Sequence, residues 1–261
     1  MVEESQLKYW RDAGHVARRT LEAMKLELQP GKTFHEIIES AERYIHRHGG
    51  KPAFPGTIAV NDLAAHFTTN HQIEGVEGWD GEMVLQKGDL VKIDFGVHIK
   101  GHIGDNALTF EVGNSNQHTE QIKAAKEARD AAVEMLHPGT PWYKVGQAAA
   151  QPSLDAGFQP IRNLCGHQLK PLGAQMARNL EERYSTLPFA ERWAFPMLKK
   201  PFPDADEASL QSKWNALVKK LISIRFLETY HVLRCRDGGN IAQFEHTVHV
   251  TSGGPEILTV E

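Results

Sequence analysis

Two aspartates eleven residues apart, Asp94 and Asp105, lie in VKIDFGVHIKGHIGDNALTF, residues 91–110. The first opens the tripeptide Asp94-Phe95-Gly96, which in a protein kinase would bind magnesium. That chemistry also needs a glycine-rich loop over the phosphates, a strand lysine and a His-Arg-Asp loop with its asparagine. No Gly-x-Gly-x-x-Gly precedes Asp94, and Arg-Asp pairs occur only at Arg11-Asp12, Arg129-Asp130 and Arg236-Asp237, in the wrong places and order. The kinase reading is excluded, and a hairpin remains. With a turn at Ile99-Lys100 the two aspartates face each other across the ladder; with a turn at Lys100-Gly101 they are diagonal neighbours. Either register puts both carboxylates on one face, within about 5–8 Å. Like charges so close destabilise a fold unless a cation lies between them. Apolar residues on both faces of these strands predict burial on both sides, which argues against a solvated pair.

Three further residues of ligating type lie in strand-like or glycine-turn contexts: His66 in LAAHFTTN, His167 in NLCGHQL and Glu245 in IAQFEHTVHV. Alternation turns Glu245 away from Phe244, His246, Val248 and Val250. Carboxylates joined by one histidine suit a hard or borderline divalent ion, and a pair of such ions bridged by water is a hydrolytic device.

The elements that must position these groups can be read from periodicity. Ser5 is placed to cap a first helix whose Leu7, Trp10, Val16, Leu21 and Met24 recur at helical spacing, ending before Pro30-Gly31. Thr33 and Glu36 form a capping box for a second helix with Ile37, Ile38, Ala41, Tyr44 and Ile45 as its buried stripe, stopped by Gly49-Gly50. Short β-type runs follow from Lys51 to Val112, clearest at Val91 to Val97 and His102 to Val112. Helix returns at Thr119 to Leu136. Leu136 to Val145 then echoes Leu28 to Ile37, each centred on Pro-Gly between two helices, which reads as an internal duplication. A duplication predicts a second sheet region, yet only Gly157 to Leu172 fits. The chain turns helical and charged at Ala174, passes a proline-rich stretch at Phe195 to Pro203 and a helix at Ala208 to Leu221, and closes with a strand at Ala242 to Val250. Several second-half strands are therefore expected to be absent.

At 261 residues the chain can bury a sizeable core, as one large domain or two small ones. A net charge of −4 with a pI near 6.4 gives no reason to expect nucleic acid or an anionic membrane. Two distant cysteines, Cys165 and Cys235, favour a reducing compartment, with the cytoplasm expected; no 18-residue apolar run predicts a membrane span.

Together, KIDFGVHIKGHIGDNALT, PAFPGT followed by AAHFTTN, NLCGHQL and AQFEHTVHV resemble, in order and spacing, the type II methionine aminopeptidases of archaea and eukaryotes. The resemblance implies an α+β pita-bread fold, with pseudo-twofold αβ halves around a curved antiparallel sheet. Residues 1–173 and 231–261 would form the catalytic domain, and 174–230 the type II helical insert. Asp94 would hold one metal, Asp105 and Glu245 would bridge two, and His167 would bind the other. His66 would contact the scissile amide and aid protonation, while Phe54 and Tyr230 would line a methionine pocket. The family uses two divalent ions, of cobalt, manganese, iron or zinc. Here GHQLKPLG runs directly into AQMARNL, and neither the family's His-Ala-Gly nor its Glu-Pro-Phe context exists. The ion using His167 loses its glutamate, so one ion and impaired turnover are expected. The implied partner is the N-terminal peptide of nascent proteins, near the ribosome, with the chain a cytoplasmic monomer. The competing reading is a catalytically silent pita-bread binding protein similar to the proliferation-associated relatives.

Overall fold

The computed structural model describes residues 3–69, 80–162, 164–171, 193, 195–224 and 231–260. Helix α1, Glu4–Glu27, buries the predicted stripe, but its cap differs: Glu3 holds the N-cap position without a side-chain bond, and Ser5 lies inside the first turn. Helix α2, Phe34–Arg47, begins at the predicted capping box. The Thr33 hydroxyl accepts from the Glu36 N–H at 3.1 Å, and the Glu36 carboxylate accepts from the Thr33 N–H at 2.9 Å. Between the helices, Gly31 has φ +86° and the Lys32 N–H donates to the Gln29 carbonyl, a type II turn.

Strands β1 (Lys51–Pro52), β2 (Thr57–Val60), β4 (Leu90–Ile99) and β5 (His102–Glu111) form an antiparallel sheet, in which β4 pairs with β1 and β2 and also with β5. Strand β3, Leu63–Ala65, lies between β2 and β4 in the chain. The β4–β5 hairpin turns at Lys100-Gly101, both at positive φ, so its two-residue turn has the twist that hairpins favour. Of the two registers left open by the sequence, this is the diagonal one: Gly96 pairs with Asp105, and Asp94 with Ala107.

The two helices pack on one face of this sheet. Leu21, Met24, Phe34, Ile37, Ile38, Val91, Ile93, Phe95 and Leu108 belong to one buried cluster, and each large side chain removed from water contributes about 1.5–3 kcal/mol. Close approach of α1 to β5 requires glycine at position 104, since a Cβ there would come within 2.4 Å of the Gly14 nitrogen, while Gly14 itself makes room for the Leu258 carbonyl, which a Cβ would meet at 2.2 Å.

The second half repeats the helices without comparable burial. Helices α3, Thr119–Glu134, and α4, Trp142–Asp155, flank a turn in which Gly139 has φ +85° and the Thr140 N–H donates to the His137 carbonyl, the geometry of the first Pro-Gly turn. The duplication read from sequence is thus present in the backbone. Helix α4 nevertheless buries no residue, and Trp142 is 71% exposed. The stretch expected to hold sheet, Gly157 to Leu172, contains no strand among its described residues. Beyond it come a 3-10 turn, Phe195–Lys199, and helix α5, Glu207–Ser223, capped by Asp206. Phe195, Leu210 and Trp214 make a small core of their own there.

Strand β6, Leu233–Arg234, pairs with β3. The final strand is shorter than predicted and starts later: β7, Val248–Thr251, turns back on β8, Gly254–Ile257, a hairpin the sequence reading missed. Residues 243–247 still run beside β5, joined by the Glu245 N–H to the Ala107 carbonyl at 3.0 Å. Among the described residues, no helix is long and apolar enough to cross a membrane.

Candidate metal centre

On the sheet face away from α1, ligand atoms of Asp94, Asp105 and Glu245 all lie within 4.8 Å of one another. Strand alternation brings two of them together, because the hairpin register places Asp94 and Asp105 on the same face at diagonal positions. The third comes from the segment on the open edge of β5. Its alignment is fixed at three successive alternate residues. The Gln243 N–H donates to the Thr109 hydroxyl at 2.7 Å, the Glu245 N–H to the Ala107 carbonyl, and the Thr247 hydroxyl to the Asp105 carbonyl at 2.8 Å. Phe244 and His246 point to the helix side, as alternation predicts, and Phe244 packs against the main core.

The electrostatics suit a cation. Oδ1 of Asp94 and Oδ1 of Asp105 are buried and have no hydrogen-bond partner among the described residues. Burial, reinforced by Glu245 and then Asp105, holds the Asp94 carboxyl well above the usual carboxylate range. Burial and then Glu245 push Asp105 up to about 7. Asp94 and Asp105, held this close to each other and to Glu245 without an intervening cation, resist ionisation, and a divalent ion removes the conflict. The residues present therefore fit a hard or borderline divalent metal bound through oxygen.

His167 approaches the same cluster, with Nε2 3.6 Å from Asp105 Oδ2, while its side chain remains 62% exposed. His66 has a left-handed backbone, φ +68°, and its Nδ1 is 3.1 Å from the His231 carbonyl. It precedes Phe67, whose carbonyl accepts from the Ile58 N–H, so this segment lies beside β2, the strand whose Thr57 pairs with Asp94. Phe54 lies over Gly96, where a Cβ would meet its ring at 2.1 Å. Tyr230 falls outside the described residues.

Sequence reasoning passed over the groups that support Glu245. Gln243 Nε2 donates to Glu245 Oε1 at 2.6 Å, and the Thr247 hydroxyl also accepts from the Asp105 N–H at 2.8 Å. Both residues stand two positions from Glu245, so the strand period that oriented Glu245 would also have found them.

A converging set of carboxylates with unpaired buried oxygens is the equipment of a metal-dependent hydrolase. The chain belongs to metallopeptidase family M24, whose family profile matches residues 8–252. A methionine aminopeptidase of Archaeoglobus fulgidus is 31% identical in an alignment of 307 positions that takes in 95% of this chain and 96% of that protein. One from Clostridium perfringens is 27% identical over 100% of this chain and 98% of its own length. Among solved structures, a methionine aminopeptidase from Rickettsia prowazekii superposes with a TM-score of 0.67 at 19% identity, covering 100% of this chain and 99% of that one. The fold is accordingly the α+β pita-bread fold of this family.

Proposed function

We propose that this chain removes the N-terminal methionine from nascent proteins, in the cytoplasm and as a monomer, with Asp94, Asp105 and Glu245 holding a divalent ion. The observation that carries the reading is the convergence of these three carboxylates, two of them with buried, unpartnered oxygens. When bound there, the ion supplies a Lewis acid that polarises the scissile carbonyl and activates water. The protein's own groups then do the rest. His66, whose Nδ1 is engaged by the His231 carbonyl, is assigned to the scissile amide, where an imidazole can hold or pass a proton. Phe54, seated on Gly96 beside Asp94 and Asp105 in the sheet, offers an apolar wall to a methionine side chain, and Tyr230 is assigned to the same pocket. Gln243 and Thr247 hold Glu245 and the Asp105 backbone in place.

We assign the chain to the type II subfamily, with residues 174–230 as its helical insert. The separate small core of Phe195, Leu210 and Trp214 supports an insert that packs within itself. We also propose that a segment following Gly173 is missing. The alignment with the archaeal relative is longer than the 261 residues of this chain, and helix α4 buries none of its residues. His167 then has no glutamate with which to share a second ion, and one ion per chain with reduced turnover follows. The retained carboxylate set gives no support to a catalytically silent binding role.

The test is release of methionine from a Met-Gly-Met peptide with added cobalt or manganese, beside the N-acetylated peptide and the Asp105→Asn variant. Metal-dependent release from the free peptide alone, lost in Asp105→Asn, is expected. No release at any excess of either cation would overturn the assignment.

A further inference from the structure

The turn at Asn61 and Asp62, between β2 and β3, joins chain segments that approach the carboxylates from different directions. Asn61 has φ +54°, a left-handed conformation that asparagine tolerates better than most residues. Every polar group it owns is engaged. Its N–H donates to the Leu90 carbonyl at 2.9 Å, and its Oδ1 accepts from the Leu90 N–H at 2.9 Å. Its Nδ2 donates to Asp89 Oδ1 at 2.9 Å. Its carbonyl accepts from the Ile241 N–H at 3.1 Å and from Lys92 Nζ at 2.9 Å. Asp62 extends the junction, since its carbonyl accepts from the Cys235 N–H at 2.8 Å and its carboxylate from the Arg234 guanidinium at 2.7 Å.

These bonds tie the segment leaving the helical block to the start of β4. Upstream of the junction the segment reaches His231, whose carbonyl engages His66 Nδ1. Downstream it reaches Gln243 to Thr247, which lie along β5 and bring Glu245 to the aspartates. Lys92, held by the Asn61 carbonyl, stands two residues before Asp94 on the same strand face.

We propose that Asn61 is a positioning residue, which through Asp89, Leu90 and Ile241 sets the register that delivers Glu245 to the metal and the His231 carbonyl to His66. This rests on the metal-site reading above. The side chain must be an amide because it donates to a carboxylate and accepts from a backbone N–H at the same time. Aspartate has the same shape but no donor, and would face Asp89 with like charge; glycine keeps the turn and loses both side-chain bonds.

Calorimetric titration with manganese alone, well below each protein's unfolding temperature, tests the assignment on Asn61→Asp, on Asn61→Asp combined with Asp89→Asn, and on Asp105→Asn. Asn61→Asp should weaken binding by about tenfold or more, as loss of a supporting hydrogen bond behind metal ligands commonly does. The double variant should recover most of the affinity, because an amide at position 89 can donate to a carboxylate at 61 while the Leu90 N–H keeps its acceptor. Asn61→Gly covers the case in which Asn61→Asp does not fold, with the same loss expected. A merely structural role predicts a lower melting temperature with unchanged affinity in the folded protein. Parental affinity in Asn61→Asp, or no recovery in the double variant, overturns the proposal. Parental affinity in Asp105→Asn instead overturns the metal-site reading and leaves Asn61 no site to position.

Discussion

His246 adjoins Glu245 in sequence but faces the opposite side of the sheet, where its Nδ1 is 2.8 Å from the Thr259 hydroxyl. Burial, and then Arg129 and Arg18, push its pKa down to about 4. The fold thus keeps the ring neutral where an unfolded chain would protonate it. As pH falls from about 6.5 towards 4, the unfolded state takes up a proton that the folded state refuses, and stability is lost across that window. Urea unfolding at pH 7 and pH 5 should show the parent losing on the order of 1–2 kcal/mol more than His246→Gln, whose amide can still reach Thr259. Equal losses would contradict the burial of a neutral imidazole. At this scale the sequence was legible where strand period alone decides orientation. The shared face of Asp94 and Asp105 followed from alternation, as did the opposite facing of Phe244 and His246, whereas the place of Glu245 beside the aspartates came only from the family resemblance. The contacts of Asn61 were not legible, because they reach Asp89 to Lys92, 28–31 residues on, and Ile241, 180 residues on, which no local pattern links.

The β4–β5 hairpin carries the site, and its glycines serve packing. Gly96 closes the Asp-Phe-Gly tripeptide because the Phe54 ring occupies the space a side chain would need, just as Gly56 admits the ring of Phe95. Gly96→Ala should displace Phe54 and raise KM for a methionine peptide by about 5- to 30-fold, corresponding to ~1–2 kcal/mol of strain and lost contact. Manganese affinity should be unchanged, as Asp94 and Asp105 keep their strands. An unaltered KM would remove Phe54 from the pocket. The capping box of α2 and both Pro-Gly turns were readable, since each is fixed by residues within four positions. The hairpin register was left between two possibilities, and the helical φ values of Lys100 and Gly101 on the left-handed side decided it. The last strand was misplaced because Gln243 to Thr247 alternate like a strand yet bond to β5 partly through side chains, while the regular ladder begins at Val248.

Across the whole molecule the two halves are alike in connection and unlike in burial. Helix α2 buries Phe34, Ile37, Ile38, Ala41 and Ile45, whereas α4, its counterpart across the repeat, buries nothing. The same asymmetry runs through the proposed site, where three carboxylates converge and His167 stands exposed at 3.6 Å from one of them. The most direct measurement is the stoichiometry of tightly bound divalent metal, by elemental analysis of dialysed protein and titration with manganese, in the parent and in Asp105→Asn. The account predicts one ion per parental chain and none in the variant. Two tightly bound ions, or no metal in the parent, would contradict it.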